Sequence, residues 1–329
     1  LYAVKANPHP AVLKTLWTSG VRNFDVASTR EVDLVQSVVP GAKLFFMHPV
    51  KSRAAIRHAY DCGVRDFSFD TADELQKMLE VTGYADDLTL HLRVALPKGG
   101  AAMPLSGKFG ADRDQAVELL RQARDHAHKL GVTFHVGSQC LEIGDYDTAL
   151  AYVRSIVDAS GVGIDSIDCG GGFPVAYPGM TPKPMGDYFK AIRSSLGAHG
   201  FAGLQVLGEP GRALCAQGGS TLARVELRKG GDLYLNDGSY GSLFDAAQCA
   251  WNYPVKLHAV EPRAAAQTEA FRFFGPTCDS LDVMNGPFEL PSDVQEGDWV
   301  EICHLGAYGQ ALSSRFNGFY SETTVAVMA

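Results

Sequence analysis

The sequence predicts an α/β fold, a (β/α)8 TIM barrel followed by an all-β C-terminal domain, on three observations. Short β-rich runs alternate with amphipathic helical stretches, and there are eight such runs before Arg212. Alternating β and α implies parallel strands joined by right-handed crossovers, and eight units suit a barrel at the short end of its usual size. After Arg212 the helical signal fades into alternating β-branched runs separated by Gly, Pro and Asn-Asp turns, as in an all-β domain.

In chain order the predicted barrel strands are LYAVK from Leu1, NFDVAS from Asn23, AKLFFMH from Ala42 and DFSFDT from Asp66. They continue with LTLHLRVAL from Leu88, VTFHVGS from Val132, SIDCGGG from Ser166 and LQVLGEPGR from Leu204. Apolar residues at helical spacing mark helices over Thr29–Ser37, Ala72–Glu80 and Arg113–Leu130. Thr71 and Glu74 have the spacing of a capping box. A doubly wound open sheet is the structural rival, and the lack of GxGxxG after the first strand weakens its dinucleotide-binding version. The second domain is expected from STLARVELR, DLYLNDGSYG, YPVKLHAVE, EAFRFFGPT, DWVEICHLG and TTVAVM. The boundary falls at 218/219, giving a barrel over 1–218 and a β-domain over 219–329. The chain opens inside a core strand and without Met, so a preceding segment is expected.

Composition narrows the function. The chain is 46% hydrophobic and 20% charged, which is ordinary for a globular protein. A net charge of −8 argues against nucleic acid as a main partner. No apolar run approaches the ~18 residues of a membrane helix. The seven cysteines form no CxxC pair, so neither a disulfide framework nor a structural metal site is expected, and a reducing cytoplasm fits best.

In this fold the active site lies at the C-terminal strand ends. Those positions hold Lys5, Asp25, His48, Asp70, Arg93, His135, Ser138, Gly170, Gly171, Gly172, Glu209 and Arg212. Glycine-rich loops after strands seven and eight suit a phosphate, because backbone N–H groups can approach its oxygens, and Arg212 can add a fork of donors. The alternative for CGGGFP is a tight turn without a ligand. Lys5, facing a barrel interior, is a candidate imine-forming nucleophile; otherwise it is a strand-end lysine reaching solvent. A phosphate loop, an imine lysine and an acidic partner for a ring nitrogen together describe pyridoxal phosphate. Glu209 is the acidic partner. His135 either stacks on the ring or is a hydrogen-bonded core histidine.

With these residues in place, the chain resembles the fold type III pyridoxal-phosphate decarboxylases that act on ornithine, lysine, diaminopimelate and arginine. YAVKAN, FDVAS with Glu31, FHVGSQC, DCGGGFP, GEPGR, NDGSYG, GPTCDSLD and GAYG…FNGF occur in family order over essentially the whole chain. The resemblance implies that Lys5 carries the cofactor, His135 stacks on its ring and Glu209 faces the pyridine nitrogen. It implies that Ser138, Gly170, Gly171, Gly172, Arg212 and Tyr308 hold the phosphate, with Asp25 and Arg93 in the polar shell. It also implies a homodimer with shared sites, in which Cys278 manages the proton at the α-carbon and Asp279, with Tyr240, binds the distal amine of an amino-acid substrate. A strand completing the β-domain is expected ahead of Leu1.

CDSLD and FNGF point to the ornithine/lysine branch. The expected reaction is L-ornithine to putrescine, with lysine to cadaverine as a second activity; the alternatives are diaminopimelate or another amino acid, or a catalytically silent regulatory homologue. Glu209 speaks against a racemase, which would favour a less acidifying ring partner. One departure stands out. Eukaryotic ornithine decarboxylases carry an aspartate nine residues past the tyrosine of NDGSYG, and here that register holds Cys249, preceded by Gln248, with Asp245 as a possible substitute.

Overall fold

The computed structural model describes residues 1–97, 107–249, 251–264 and 266–327. The chain divides into two compact units, Leu1–Val175 with Pro182–Ala213, and Ala176–Thr181 with Leu214–Ala329.

The first unit is built from β1 (Tyr2–Ala3), α1 (Pro10–Thr18), β2 (Asn23–Val26), α2 (Thr29–Val38), β3 (Lys43–Phe46), α3 (Arg53–Asp61), β4 (Asp66–Phe69) and α4 (Ala72–Thr82). It continues with β5 (Thr89–Arg93), α5 (Arg113–Arg124), β6 (Lys129–Thr133), α6 (Gly144–Ser160), β7 (Ser166–Asp168), α7 (Met185–Ala198) and β8 (Gln205–Leu207). The strands pair in parallel and in sequence order from β1 to β8. The ring closes where β1 meets the segment after β8. Ala3 N–H donates to the Pro210 carbonyl at 3.2 Å, and the Leu1 nitrogen donates to that of Gly208 at 2.7 Å. Both faces of such strands are covered, which is why runs such as DFSF in β4 are buried throughout. This is the expected TIM barrel.

Several helix starts follow from side-chain caps. Ser28, Ser52, Thr71 and Asp112 accept from the N–H of Glu31, Ala55, Glu74 and Gln115, at 3.2, 3.1, 3.2 and 2.9 Å. The complete capping box belongs to Asp112 and Gln115. At Thr71 only half forms, because the Glu74 carboxylate is drawn to Lys51, at 3.0 Å, and to Lys77. The helix predicted over Arg113–Leu130 stops at Arg124, and residues from Lys129 become β6. The apolar spacing of Ala123, Ala127 and Leu130 satisfies a helix, but pairing of Thr89 with Lys129 and Leu90 with Leu130 takes the segment into the sheet. β1 is also shorter than expected. A 3₁₀ turn over Val4–Ala6 follows it and carries Lys5.

After α8 (Arg212–Cys215) come β9 (Thr221–Lys229), β10 (Asp232–Leu235), α9 (Phe244–Gln248), β11 (Val255–His258), β12 (Thr268–Phe274), β13 (Val283–Pro291) and β14 (Trp299–Ile302). The six strands form one sheet in the order β11-β14-β9-β10-β12-β13, antiparallel except for β10 with β12. Alternate residues such as Ala223, Val225, Leu233, Leu235, Phe271, Phe273, Met284 and Phe288 are buried. The second unit is therefore mostly β, as expected, with two local differences. VMNGPFELP is a strand despite its Gly-Pro pair, and the β12–β13 register shifts between Phe271 and Phe273 opposite that pair. TTVAVM carries no strand among its described residues, and Val325 and Val327 stand exposed; alternation becomes a strand only where an edge and a buried face receive it. Met328 lies outside the described residues. Among the described residues no helix is long and apolar enough to cross a membrane.

Candidate active site

The barrel's C-terminal mouth gathers charge. Lys5 is exposed on its 3₁₀ turn, anchored on either side by buried Val4 and Ala6, and the turn closes with Asn7 N–H donating to the Val4 carbonyl at 3.1 Å. Asp25 in β2 is buried. Burial, then the Glu209 charge, pushes its carboxyl up to about 7 against the pull of Lys5. Arg93, at the end of β5, is half-buried.

Glu209, two residues past β8, is 6% exposed, and its Oε1 has no hydrogen-bond partner among the described residues. Burial and the neighbouring Asp168 push its carboxyl up to about 7, opposed by Arg93 and Lys5. Asp168, at the end of β7, is fully buried and is raised to about 6 by burial, while the Gly170 N–H donated to its Oδ1 at 2.8 Å pulls the other way. Its Oδ2 has no hydrogen-bond partner among the described residues. Sequence reasoning missed Asp168. The available signal was an acidic residue closing a strand directly before a glycine run.

His135 follows β6. Its Nδ1 accepts the Gly137 N–H at 2.9 Å, which leaves the ring proton on Nε2. Burial, then the charges of Arg93 and Lys5, push its pKa well below the usual value, so the ring is neutral. The glycine loop is built around it. A side chain at Gly171 would meet the Glu209 carbonyl at 2.8 Å and His135 Nε2 at 2.9 Å, and Gly170 has φ +65°. The loop's carbonyls are held too: Gly170 accepts the Glu209 N–H at 2.7 Å, Gly171 the Tyr146 OH at 2.9 Å, and Gly172 the Cys140 N–H at 2.9 Å. Ser138 is half-buried between β6 and α6, and Arg212 is buried at the start of α8.

His48 and Asp70 also stand at strand ends but serve the scaffold. His48 Nδ1 accepts the Val50 N–H at 3.0 Å, and Asp70 Oδ2 accepts the Gly110 N–H at 2.8 Å. Below them Lys51 is buried against Glu74 and donates to the carbonyls of His48 at 3.0 Å and Ser68 at 2.5 Å. Burial lowers the Lys51 ammonium to about 8, against the support of Glu74.

The second unit carries Tyr240, Cys278, Asp279 and Tyr308. Tyr240 OH donates to Asp279 Oδ2 at 2.6 Å, and Leu281 N–H donates to Oδ1 at 2.9 Å; the Tyr240 bond leads in holding the Asp279 carboxyl below its usual range. The pair is set by Asp282, a buried residue that sequence reasoning also missed. Its two oxygens accept the N–H and hydroxyl of Ser239 at 2.7 and 2.9 Å, and those of Thr277 at 3.0 and 2.7 Å. A side chain at Gly238 or Gly275 would collide with Asp282, which is why NDGSYG and GPTCDSLD need glycine there. Cys278 is exposed beside Asp279. Tyr308 is half-buried at φ +57° in the turn after β14. Cys249, where the resemblance implies an acidic anchor, donates its S–H to buried Asp245 Oδ1 at 3.4 Å, and Tyr253 OH donates to Asp245 Oδ2.

These residues fit pyridoxal phosphate. Glu209 presents a buried carboxyl oxygen with no hydrogen-bond partner among the described residues, suited to an N–H from a protonated pyridine ring. The glycines pack against the carbonyls of Phe134, Glu209 and Gly137 too closely to admit a Cβ, so the loop presents backbone and no side chain, and a neutral imidazole borders it.

Comparison with known proteins agrees. The family described as pyridoxal-dependent decarboxylase, pyridoxal binding domain, matches residues 1–216, and its C-terminal sheet domain matches 214–306. The chain is 33% identical to a lysine/ornithine decarboxylase of Selenomonas ruminantium, over 98% of this chain and 82% of that protein. It is similar to the structure of the Vibrio vulnificus lysine/ornithine decarboxylase complexed with putrescine, at TM-score 0.81 and 34% identity, covering 97% and 84% of the two chains. It is also similar to the arginine decarboxylase of Paramecium bursaria Chlorella virus, at TM-score 0.84 and 28% identity, covering 97% and 87%.

Proposed function

The chain belongs to the pyridoxal-dependent decarboxylases and is a pyridoxal-phosphate-dependent carboxy-lyase of basic amino acids, and from that premise we propose that its preferred substrate is L-ornithine, converted to putrescine, with lysine second. The observation that carries this reading is the Asp279–Tyr240 pair. A distal ammonium entering a closed site needs a carboxylate, and Asp279 is held ready and ionised. Asp245 already serves Tyr253 and Cys249, so Asp279 is the anchor we assign.

Bound pyridoxal phosphate supplies the electron sink for the pair left on the α-carbon when CO2 departs. In our reading the chain supplies the rest. Lys5 anchors the cofactor. Glu209 accepts the ring N–H and so favours the charged form of the ring. Neutral His135 covers a ring face without adding positive charge that would compete with Glu209. Gly170, Gly171, Gly172, Ser138, Arg212 and Tyr308 hold the phosphate, and Asp25 with Arg93 completes the polar shell. Cys278, exposed beside Asp279, delivers a proton to the α-carbon. The assembly we propose is a homodimer in which Cys278 and Asp279 serve the barrel of the second chain.

The test is CO2 release from ornithine, lysine, arginine and diaminopimelate under identical conditions. The highest kcat/KM should fall on ornithine, with lysine next. A preference for arginine or diaminopimelate overturns the substrate assignment and leaves the reaction class intact.

A further inference from the structure

On the outer face of the barrel, α2 and α3 bring three metal-binding side chains together. An oxygen of Asp33, Nε2 of His58 and Sγ of Cys62 all lie within 4.8 Å of one another. His58 Nε2 is 2.6 Å from Asp33 Oδ1 and 3.8 Å from Cys62 Sγ. His58 and Cys62 are four residues apart at the end of α3, so they share one helix face. Asp33 reaches them from the neighbouring helix. The backbone beneath is already set: Gln36 Nε2 donates to the Cys62 carbonyl at 2.7 Å, and Cys62 N–H donates to that of His58 at 2.9 Å.

We propose that Asp33, His58 and Cys62 form a three-ligand site for a borderline-soft divalent cation, Zn²⁺ by preference, with water in the fourth position. Thiolate, imidazole and carboxylate are the usual zinc ligands, and four-coordination is the usual zinc geometry. A tetrahedral Zn²⁺ at ordinary bond lengths sets its N and O ligands about 3.3 Å apart and its N and S ligands about 3.6 Å apart. The His58–Cys62 separation already matches. The His58–Asp33 hydrogen bond must open by about 0.7 Å, which an Asp33 side chain 60% exposed permits. On binding, the Cys62 thiol gives its proton to solvent as sulfur bonds the metal, and His58 moves its ring proton to Nδ1 to coordinate through Nε2. The site lies on the helical layer and uses none of the residues assigned to the cofactor. Its effect is to cross-link α2 to α3.

Co²⁺ titrated into the holoenzyme tests this, read by the visible ligand-field bands of four-coordinate cobalt, which the thiol's coordination intensifies. Wild type should develop the bands at one equivalent and lose them on addition of Zn²⁺. Cys62→Ser and His58→Ala should each weaken cobalt binding by at least about 10–100-fold, the loss seen when even an outer partner of a ligand is removed. Cys278→Ser should keep the wild-type titration, which separates this cluster from the exposed thiol of the second unit. Asp33→Asn, on an exposed position, should weaken binding without loss of folded protein, checked by circular dichroism. Octahedral cobalt only, or a titration unchanged by Cys62→Ser, overturns the site.

Discussion

Glu209 shows at the scale of one residue how burial and function are tied. Its carboxyl is raised to about 7 by burial and by Asp168. Between about pH 4.5 and 7 the unfolded chain releases this proton while the folded cofactor-free chain keeps it. The contribution to stability is therefore complete at low pH and is lost as pH rises through that window, by about 3 kcal/mol for Glu209. Urea midpoints of the cofactor-free protein should fall from pH 5 to pH 8, and Glu209→Gln should make that profile shallower, with the remaining slope from Asp25 and Asp168; parallel profiles would contradict the assignment. In the holoenzyme the same substitution should lower kcat by roughly 10²–10³ while cofactor stays bound, because it removes one electrostatic partner of the transition state. Lys5→Ala should abolish borohydride-stable attachment of the cofactor to the N-terminal peptide, and attachment at another lysine would refute its anchoring role.

Two loops, NDGSYG and GPTCDSLD, carry the argument at the scale of the element. Neither has regular structure of its own; Asp282, the last residue of the second loop, joins it to the first by two hydrogen bonds from Ser239 and braces its own loop by two from Thr277. Asp282→Ala leaves the Ser239 and Thr277 donors unpaired and should cost about 1–3 kcal/mol in chemical denaturation of the cofactor-free protein. It should also raise KM for the basic substrate, since Tyr240 then no longer meets Asp279 in a fixed position. A KM that stays at the wild-type value would show that the loops are held by other contacts. On the barrel, Asp112→Ala removes a complete capping box and should cost about 1 kcal/mol with activity unchanged.

At the scale of the whole molecule, the proposed site residues fall in both units. Lys5, Asp25, Arg93, His135, Glu209 and Arg212 lie in the first, and Tyr240, Cys278, Asp279 and Tyr308 in the second. The dimer we propose assigns Cys278 and Asp279 to the barrel of the other chain. Mixing Lys5→Ala with Asp279→Ala protein should then restore activity, because a mixed dimer has one site with both residues intact. Random exchange of equal amounts should approach about a quarter of wild-type activity, by counting one good site in half of the dimers. Subunit exchange without recovery would place Asp279 in the site of its own chain.

The sequence by itself determined the barrel, the β-rich second unit and the cofactor class. Those signals are local or periodic: strand–helix alternation, glycine runs after strands seven and eight, and short motifs in order. Tertiary structure decided what depends on residues distant in the chain. The Arg113–Leu130 stretch satisfied helical spacing, and only its pairing with β5 assigned its end to a strand. Glu74 had the spacing of a capping box, but buried Lys51 claimed its carboxylate. Asp168 and Asp282 read as ordinary acids in the sequence. Their importance comes from burial and from partners brought by other segments, because the energy of a buried charge is set by its surroundings in space and not by its neighbours along the chain.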